Sequence, residues 1–330
     1  MDLEILKQVL KNQPNFRYKQ CYKAIFLDLI SNWNEATNLP ANLRDELNEN
    51  CPLDIKSQIF ESNDKNTVKA LIEFDDLSNI ETVLMRHYDR NTVCVSSQVG
   101  CPLNCKFCAT GQNGFKRNLS SDEILVQVLF FARYLKKYNK KITNIVFMGM
   151  GEPFLNYDNV LKSIRILNDK DYFGLGARHI SISTSGVVDG IRKLSNENLQ
   201  VNLAISLHAT GDKLRSELMP INKKYKLSKL FEAVDDYIDK TSRKVMFEYM
   251  MIACVNDSRK DAEELSKLMK KKLYFLNIIP YNSTGIFKAS SQEKIEDFKN
   301  ILEKNRIHLS ERYKHGKDIK GACGQLAGKR

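Results

Sequence analysis

Residues 101–108 read CPLNCKFC and place three cysteines in the spacing C-x3-C-x2-C. The apolar residues 93–97 before them are predicted to form a β-strand, so the three thiols fall on one short loop after that strand. Cysteines this close together, in a chain without a secretion signal, indicate a metal centre or catalysis rather than a disulfide framework. The stretch therefore predicts a metal-binding loop at the end of a strand in an α/β fold.

From about residue 80 onward, apolar strands alternate with helical patterns. Strands are predicted at 93–97, 142–148, 179–183, 201–207, 244–250 and 276–280. Helices are predicted near 121–138, 157–168, 187–196, 228–240, 258–272 and 292–304. Six consecutive βα units favour either a parallel barrel, complete or partial, or a doubly wound sheet.

A polar or glycine-rich segment follows nearly every predicted strand. These segments read QVGCPLNCKFC, GMGEPFLN, STSGV, SLHATGD and PYNSTG. In parallel α/β folds the chemistry collects at the C-terminal ends of the strands. Helix N-caps explain some of the Ser, Thr, Asp and Asn residues, but not the cysteines, Glu152 or His208. We therefore expect one composite pocket on this rim.

Composition and charge narrow the class of protein. The 330 residues are 42% hydrophobic and 28% charged, as in soluble globular chains. No apolar run reaches the roughly 18 residues of a membrane span, and the N-terminus lacks a signal peptide, so a cytoplasmic location is expected. The 51 basic and 40 acidic residues give a net charge of +11, which fits a nucleic-acid partner or a solvated basic surface without one.

The remaining cysteines are scattered. Cys21, Cys51 and Cys254 are each expected to be buried and inert. Cys323 differs, because the segment IKGACGQLAGKR surrounds it with glycine and basic residues and predicts a flexible tail that buries the thiol poorly. An exposed thiol without a function is a liability, so Cys323 requires an explanation.

Zinc and an iron–sulfur cluster are the alternatives for the cysteine loop. Structural zinc takes four ligands, and no fourth Cys or His lies at a suitable spacing. Three cysteines on a 4Fe–4S cluster leave one iron open, where the amino and carboxylate groups of S-adenosylmethionine (SAM) can chelate. The spacing, with Phe107 before the last cysteine, therefore favours a cluster that binds SAM.

The chain resembles the radical-SAM enzymes, and more closely the RlmN/Cfr family of RNA adenosine methyltransferases. The matching segments are CVSSQVGCPLNCKFCATGQNGFKRNL (94–119), NIVFMGMGEPFLN (144–156), ISISTSGVV (180–188), LAISLHATGDKLRSELMPINKKY (203–225) and ACGQLAG (322–328). The resemblance implies a radical-SAM partial (βα)6 TIM-like barrel with a small helical N-terminal domain. It divides the chain into an accessory, RNA-binding domain at 1–75, the radical-SAM core at 76–318 and a tail at 319–330 that carries the catalytic cysteine.

The resemblance also implies how the cofactors are bound. Cys101, Cys105 and Cys108 would hold the 4Fe–4S cluster. Gly151 and Glu152 would meet the amino group of SAM. The other SAM contacts would come from Ser183, Ser206, Leu207, His208 and Asn282.

In this family the reaction uses two SAM molecules per turnover. Cys323 would take a methyl group from the first. The second, cleaved at the cluster, would yield a 5'-deoxyadenosyl radical that takes hydrogen from the S-methyl group, and the methylene radical would add to adenine. Cys94 would then attack the sulfur and release the product, forming a transient disulfide with Cys323, while Glu81 would accept a proton.

Three motifs place the chain nearer to the branch that methylates adenine C2. GEPFLN, STSGVV and VSSQVGC resemble that branch, whose substrates are 23S rRNA and certain tRNAs. A C8-methylating Cfr-type enzyme is the alternative, and a non-enzymatic zinc- and RNA-binding protein is a more remote one. The implied partners are 23S rRNA, tRNA and an external electron donor such as flavodoxin or ferredoxin, with a monomeric protein. Lys116, Arg117 and the basic tail are candidate phosphate contacts.

Overall fold

The computed structural model describes residues 1–312 and 316–328. Its helices are α1 (Leu3–Val9), α2 (Asn15–Phe26), α3 (Ala41–Asn50), α4 (Ala109–Gln112), α5 (Ser121–Lys136), α6 (Tyr157–Asn168), α7 (Val188–Leu194), α8 (Asp212–Leu218), α9 (Leu227–Thr241), α10 (Arg259–Leu268) and α11 (Gln292–Lys304). Its strands are β1 (Ser57–Glu61), β2 (Thr67–Glu73), β3 (Asn79–His87), β4 (Arg90–Cys94), β5 (Gln98–Gly100), β6 (Phe115–Asn118), β7 (Asn144–Phe147), β8 (Ile180–Thr184), β9 (Asn202–Ser206), β10 (Val245–Met251), β11 (Tyr274–Pro280) and β12 (Leu309–Glu311).

Ten strands form one sheet in the order β1-β2-β3-β4-β7-β8-β9-β10-β11-β12. Neighbours from β1 to β4 are antiparallel, and neighbours from β4 to β12 are parallel. A doubly wound sheet reverses its strand order at a switch point, whereas barrel strands follow one another in chain order, as these do. The first and last strands of this order do not pair within the described chain, so the barrel is open. The predicted partial (βα)6 barrel is confirmed.

The predicted core strands and helices are all present. The largest difference in their bounds is at the end of α10, predicted at residue 272 and observed at Leu268. Residues 270–272 are three lysines, which have no apolar face to bury, so the chain leaves the helix before them.

Burial makes the few polar residues of the strands conspicuous. Every residue of β10 except Met246 is buried, because helices cover one side of a parallel sheet and the barrel interior covers the other. Glu248 of β10 and Lys69 of β2 are nevertheless charged and buried. Buried charges require partners, and both residues lie at the candidate site described below.

The N-terminal helices pack against the barrel. The backbone N–H of Leu3 donates to Asp122 Oδ2 at 2.7 Å, and Arg133 Nη1 donates to the carbonyl of Leu53 at 2.8 Å. Strands β1 and β2, which also precede residue 75, extend the sheet beside β3. The division of the chain at residue 75 and an RNA-binding role for residues 1–75 stay predictions.

The C-terminal segment 316–328 is not the loose tail that its glycines predict. Ala322 and Leu326 are buried, and Cys323 is half-buried. Thr110 Oγ1 donates to the carbonyl of Leu326 at 2.6 Å, so the segment is bound to the cysteine loop. The expectation of a flexible, exposed tail is wrong because the small residues let the backbone lie against the rim, where its polar groups find partners.

Two further expectations are settled by burial and length. Cys21 and Cys51 are buried as predicted, but Cys254 is exposed, because it lies in the turn after β10. Among the described residues, no helix is both long and apolar enough to cross a membrane.

Candidate active site

The cysteine loop follows β5 and is fixed at both ends. Cys101 N–H donates to the carbonyl of Gly114 at 2.8 Å, and Ala109 N–H donates to the carbonyl of Gly324 in the tail at 2.8 Å. Gly100 has φ +77°, and a Cβ there would lie 2.0 Å from the Gly114 oxygen. Only glycine allows this approach, so the residue before the first cysteine determines how the loop closes.

Cys101, Cys105 and Cys108 line one cavity at the C-terminal ends of the strands. Burial raises the pKa of Cys101 to about 12 and that of Cys105 well above its usual value, and neighbouring thiols of the group add to both shifts. Metal binding must therefore displace protons from these thiols.

In the described chain no three Cys, His, Asp or Glu side chains converge on one metal-ion position. A four-iron cluster does not require convergence, because each cysteine binds a different iron. Three thiols on one cavity wall fit such a cluster.

Glu152 lies on the wall of the same cavity, after β7. Its N–H donates to Gln98 Oε1 at 2.8 Å, and its Oε2 accepts from Ser185 N–H at 2.7 Å. Burial raises the pKa of Glu152, and no ion pair of the described residues includes it. A buried carboxylate without a cation suits an ammonium group, as SAM carries. Gly151 has φ +101° and would place a Cβ 2.6 Å from Gln98, so the backbone reaches the cavity only with glycine here.

The next two strand ends complete this cavity. Ser183, Ser206 and His208 line it, together with Glu248. Ser183 Oγ donates to Glu248 Oε2 at 2.9 Å. Leu207 is fully buried in the hydrophobic core and is not among the residues that line the cavity. A contact between SAM and Leu207 stays a prediction.

His208 is held as a neutral wall of the cavity. Met250 N–H donates to His208 Nδ1 at 3.1 Å, and the ring packs edge-on against Phe107 with centroids 4.9 Å apart. Burial, assisted by the charge of Arg215, lowers the pKa of His208 to about 3. An imidazole that accepts at Nδ1 and stays neutral carries its proton on Nε2.

We expect the His208 imidazole not to titrate between about pH 5 and 9 in the cluster-free protein. Below pH 6.5, the ordinary pKa of histidine, His208 is protonated in the unfolded chain but stays neutral in the folded chain. His208 therefore does not reduce the free energy of unfolding above pH 6.5. As the pH falls from 6.5 towards 3, it lowers the free energy of unfolding by up to about 1.4 kcal/mol per pH unit. NMR of the ring, assigned with His208→Asn, checks this; a midpoint near 6.5 would contradict it.

A second cavity adjoins the first and brings Cys94 near Cys323. Both thiols line it, and Cys323 lines the first cavity as well. Burial raises the pKa of Cys94 to about 12, and the nearby Cys323 adds to the shift. Asn282 lines this second cavity rather than the first, with Nδ2 at 3.5 Å from the carbonyl of Cys323. Its predicted contact with SAM stays a prediction.

Arg312 joins the two cavities. Its Nη1 lies 3.3 Å from Cys323 Sγ and 3.0 Å from Glu248 Oε1, and its Nη2 lies 3.0 Å from Met148 Sδ. Burial alone would lower the pKa of Arg312, but the neighbouring Cys323 and Glu248 raise it. The guanidinium therefore stays charged beside the thiol.

Glu81 is a buried carboxylate on β3. Its Oε1 lies 2.7 Å from Lys69 Nζ, and its Oε2 accepts from the N–H groups of Ala327 at 2.6 Å and Gly328 at 3.0 Å. Removing one partner of such a buried pair typically costs about 3–5 kcal/mol. Glu81 thus connects β3 to β2 and to the tail that carries Cys323.

Lys69, Glu248 and Arg312 are the site residues that sequence reasoning missed. Lys69 and Glu248 did carry a signal, because each is a charged residue inside an apolar strand and a buried charge needs a partner. Arg312 carried no such signal, because a basic residue in a basic segment is typical of a solvent-exposed surface.

Comparison with known proteins agrees with this geometry. Residues 95–268 match the model of the Radical SAM superfamily, the class that the open parallel barrel and the three-cysteine loop define. That class implies a 4Fe–4S cluster and SAM.

Full-length relatives narrow the class to one family. The chain is 46% identical over 316 residues to the probable dual-specificity RNA methyltransferase RlmN of Dictyoglomus turgidum, covering 95% of this chain and 91% of that protein. The protein of the same name from Syntrophomonas wolfei is 45% identical over 340 residues, covering 99% and 95%. The crystal structure of a radical SAM methyltransferase from Sphaerobacter thermophilus aligns with a TM-score of 0.95 at 41% identity, over 100% of this chain and 98% of that one.

The chain belongs to the RlmN family of dual-specificity RNA methyltransferases. The prediction of a radical-SAM RNA methyltransferase is confirmed, and the non-enzymatic alternative is set aside.

Proposed function

We propose that the protein methylates C2 of an adenine in 23S rRNA and in tRNA by carrying the one-carbon unit on Cys323. The observation that carries this proposal is the position of Cys323 between two cavities, one lined by the cysteine loop and the other by Cys94. The adenine C2–H is not a nucleophile, so direct polar transfer of a methyl group would fail. A protein-bound carbon radical offers a route to that position.

The first cavity is assigned to the cofactors. Its three cysteines would hold the cluster, and the buried carboxylate of Glu152 would accept from the SAM amino group. When bound, cluster and SAM supply the methyl group and the one-electron cleavage that starts radical chemistry, with two SAM molecules assigned to each turnover.

The thiols of Cys323 and Cys94 are assigned different roles. Cys323 accepts the methyl group on sulfur, and Arg312 orients that sulfur from 3.3 Å. Once the carbon is bonded to adenine, the adduct loses its C2 proton to Glu81 and its unpaired electron to the one-electron couple that the bound cluster would supply. Cys94 then attacks the sulfur of Cys323. The S–S bond forms, the C–S bond breaks, and its electron pair goes to the carbon, which takes the proton of the Cys94 thiol and becomes the methyl group of the product.

Glu81 is assigned as the acceptor of the C2 proton. Both of its oxygens are engaged here, one by Lys69 and the other by the amides of Ala327 and Gly328. Proton acceptance requires a free oxygen, and the tail that supplies the two amides also carries Cys323. Movement of the Cys323 segment and release of Glu81 are therefore coupled.

The C2 branch is favoured over the C8 branch. Three relatives that are 44–46% identical to this chain carry the RlmN name. The GEPFLN and STSGVV segments, which resemble the C2 branch, contain Glu152 and Ser183, and both of these residues line the first cavity. The Cfr-type C8 reaction is the alternative that product analysis separates.

The RNA must present an unstacked base to reach these thiols. Arg117 is a poorer phosphate contact than predicted, because its guanidinium binds Asp76 at 2.8 Å and Glu123 at 2.7 Å. The exposed Lys116 remains a candidate, whereas Lys329 and Arg330 of the basic tail lie outside the described residues. An external donor such as flavodoxin or ferredoxin, a monomeric state and a cytoplasmic location complete the proposal.

Cys94→Ala is expected to trap a covalent complex between RNA and Cys323, because the resolving thiol is absent while the carbon can still be attached. Denaturing gels and peptide mass spectrometry of the complex check this. Cys21→Ala, at a buried cysteine outside both cavities, is the matched control and should release free product. Methylated RNA released by the Cys94 variant at normal yield would contradict the assigned role.

A further inference from the structure

Arg215 is a fully buried cation that forms no ion pair with any other described residue. Its side chain is 0% exposed, and the ion pairs of the described residues do not include it. Nη2 donates to the carbonyls of Ser185 at 2.8 Å and Ser206 at 3.0 Å, Nε to the carbonyl of Leu207 at 3.1 Å, and Nη1 to Asn222 Oδ1 at 3.0 Å. All four acceptors are neutral, and a buried charge held only by neutral groups is costly.

The closest carboxylate in this network does not neutralise it. Asp212 reaches Arg215 only through Asn222, whose Nδ2 donates to Asp212 Oδ1 at 2.9 Å. Asp212 is also partly exposed, so solvent screens it. Asp212 therefore compensates the buried positive charge only in part.

Arg215 lies directly behind the cysteine loop. Its helix, α8, ends at Leu218, whose carbonyl accepts from Lys106 N–H at 2.9 Å. Leu218 and Cys105 belong to one buried apolar cluster. Burial lowers the pKa of Arg215 to about 10, and the neighbouring Cys105 and Asp212 oppose this shift.

The hydrogen bonds of Arg215 also reach the other cofactor wall. The carbonyls of Ser185, Ser206 and Leu207 follow or end β8 and β9, and Ser185, Ser206 and His208 line the first cavity. A neutral amide would satisfy carbonyls at a lower desolvation cost, so carbonyl binding alone does not account for a guanidinium here.

We propose that Arg215 is a positioning residue that holds the ends of β8 and β9 on the cavity wall assigned to SAM and that its positive charge would offset the anionic, thiolate-bound cluster. The inference rests on the cluster site proposed above. Reduction adds a negative charge to the cluster, so the reduced form depends most on Arg215.

The test is a redox titration of the reconstituted, SAM-free holoenzyme, followed by absorbance and electron paramagnetic resonance. Arg215→Gln is expected to lower the ratio of reduced to oxidised cluster at a fixed potential at least tenfold, a shift of about 59 mV for a one-electron couple. Arg243→Gln is the matched control, because Arg243 binds the carbonyl of Val201 and Asn202 Oδ1 at the opposite end of β9. It should titrate like the wild type.

Arg215→Lys separates the role of the positive charge from the role of the four hydrogen bonds. It also tests the proposal if Arg215→Gln does not fold. Lysine keeps the charge but cannot bind all four acceptors, so its potential should match the wild type while its affinity for SAM, measured by equilibrium dialysis without reductant, falls at least tenfold. A wild-type potential in folded Arg215→Gln, or wild-type SAM affinity in Arg215→Lys, would overturn the proposal. Wild-type protein that takes up no iron and sulfide would instead refute the cluster site itself.

Discussion

Cys323→Ala is expected to lower RNA methylation at least about 10³-fold while the cluster content stays at the wild-type level. Alanine offers no sulfur to carry the carbon, so the protein should also lack the S-methyl group that we expect wild-type protein to acquire from SAM. Its fold should persist, because Thr110 and Glu81 hold the tail through the backbone of Leu326, Ala327 and Gly328 rather than through the thiol. Mass spectrometry of the protein and nucleoside analysis of the RNA measure both effects.

Cys254→Ala is the control for this experiment. Cys254 is exposed and lines neither cavity, so its loss should leave methylation unchanged. Methylation by Cys323→Ala within tenfold of the wild type would show that the carbon travels by another route.

Cys105→Ser is expected to reduce bound iron and acid-labile sulfide to about a tenth or less after anaerobic reconstitution, and methylation with them. Serine keeps the size of the side chain but not the soft thiolate that iron–sulfur clusters require. Cys105 is the most buried of the three ligand candidates, so water has the least access to replace it.

Cys254→Ser serves as the matched serine variant and should bind iron like the wild type. If Cys105→Ser also retained full iron and sulfide with the visible spectrum of the wild type, the cysteine loop would not be the cluster site.

Much of the fold was predictable because its signals are local. Strand period, helix period and the spacing of Cys101, Cys105 and Cys108 are properties of short segments, and the parallel arrangement places their ends on one rim. The five polar segments after the strands do meet around the adjoining cavities. Family resemblance supplied what spacing could not, since nothing local relates Cys94 to Cys323.

The rest of the site depends on long-range pairing. The tail donates two amides to Glu81 across more than 240 residues, and Arg312 joins Glu248 to Cys323. Glycine-rich sequence predicts freedom of the backbone, but it does not predict which buried carboxylate will bind that backbone. For this reason the prediction of a flexible, exposed tail was wrong.

Mass spectrometry of nucleosides from 23S rRNA and tRNA treated with the reduced, cluster-loaded enzyme and SAM identifies which carbon of adenine is methylated. The proposed C2 methylation predicts 2-methyladenosine in both RNAs. Finding 8-methyladenosine instead, or no methylated adenosine, would contradict it.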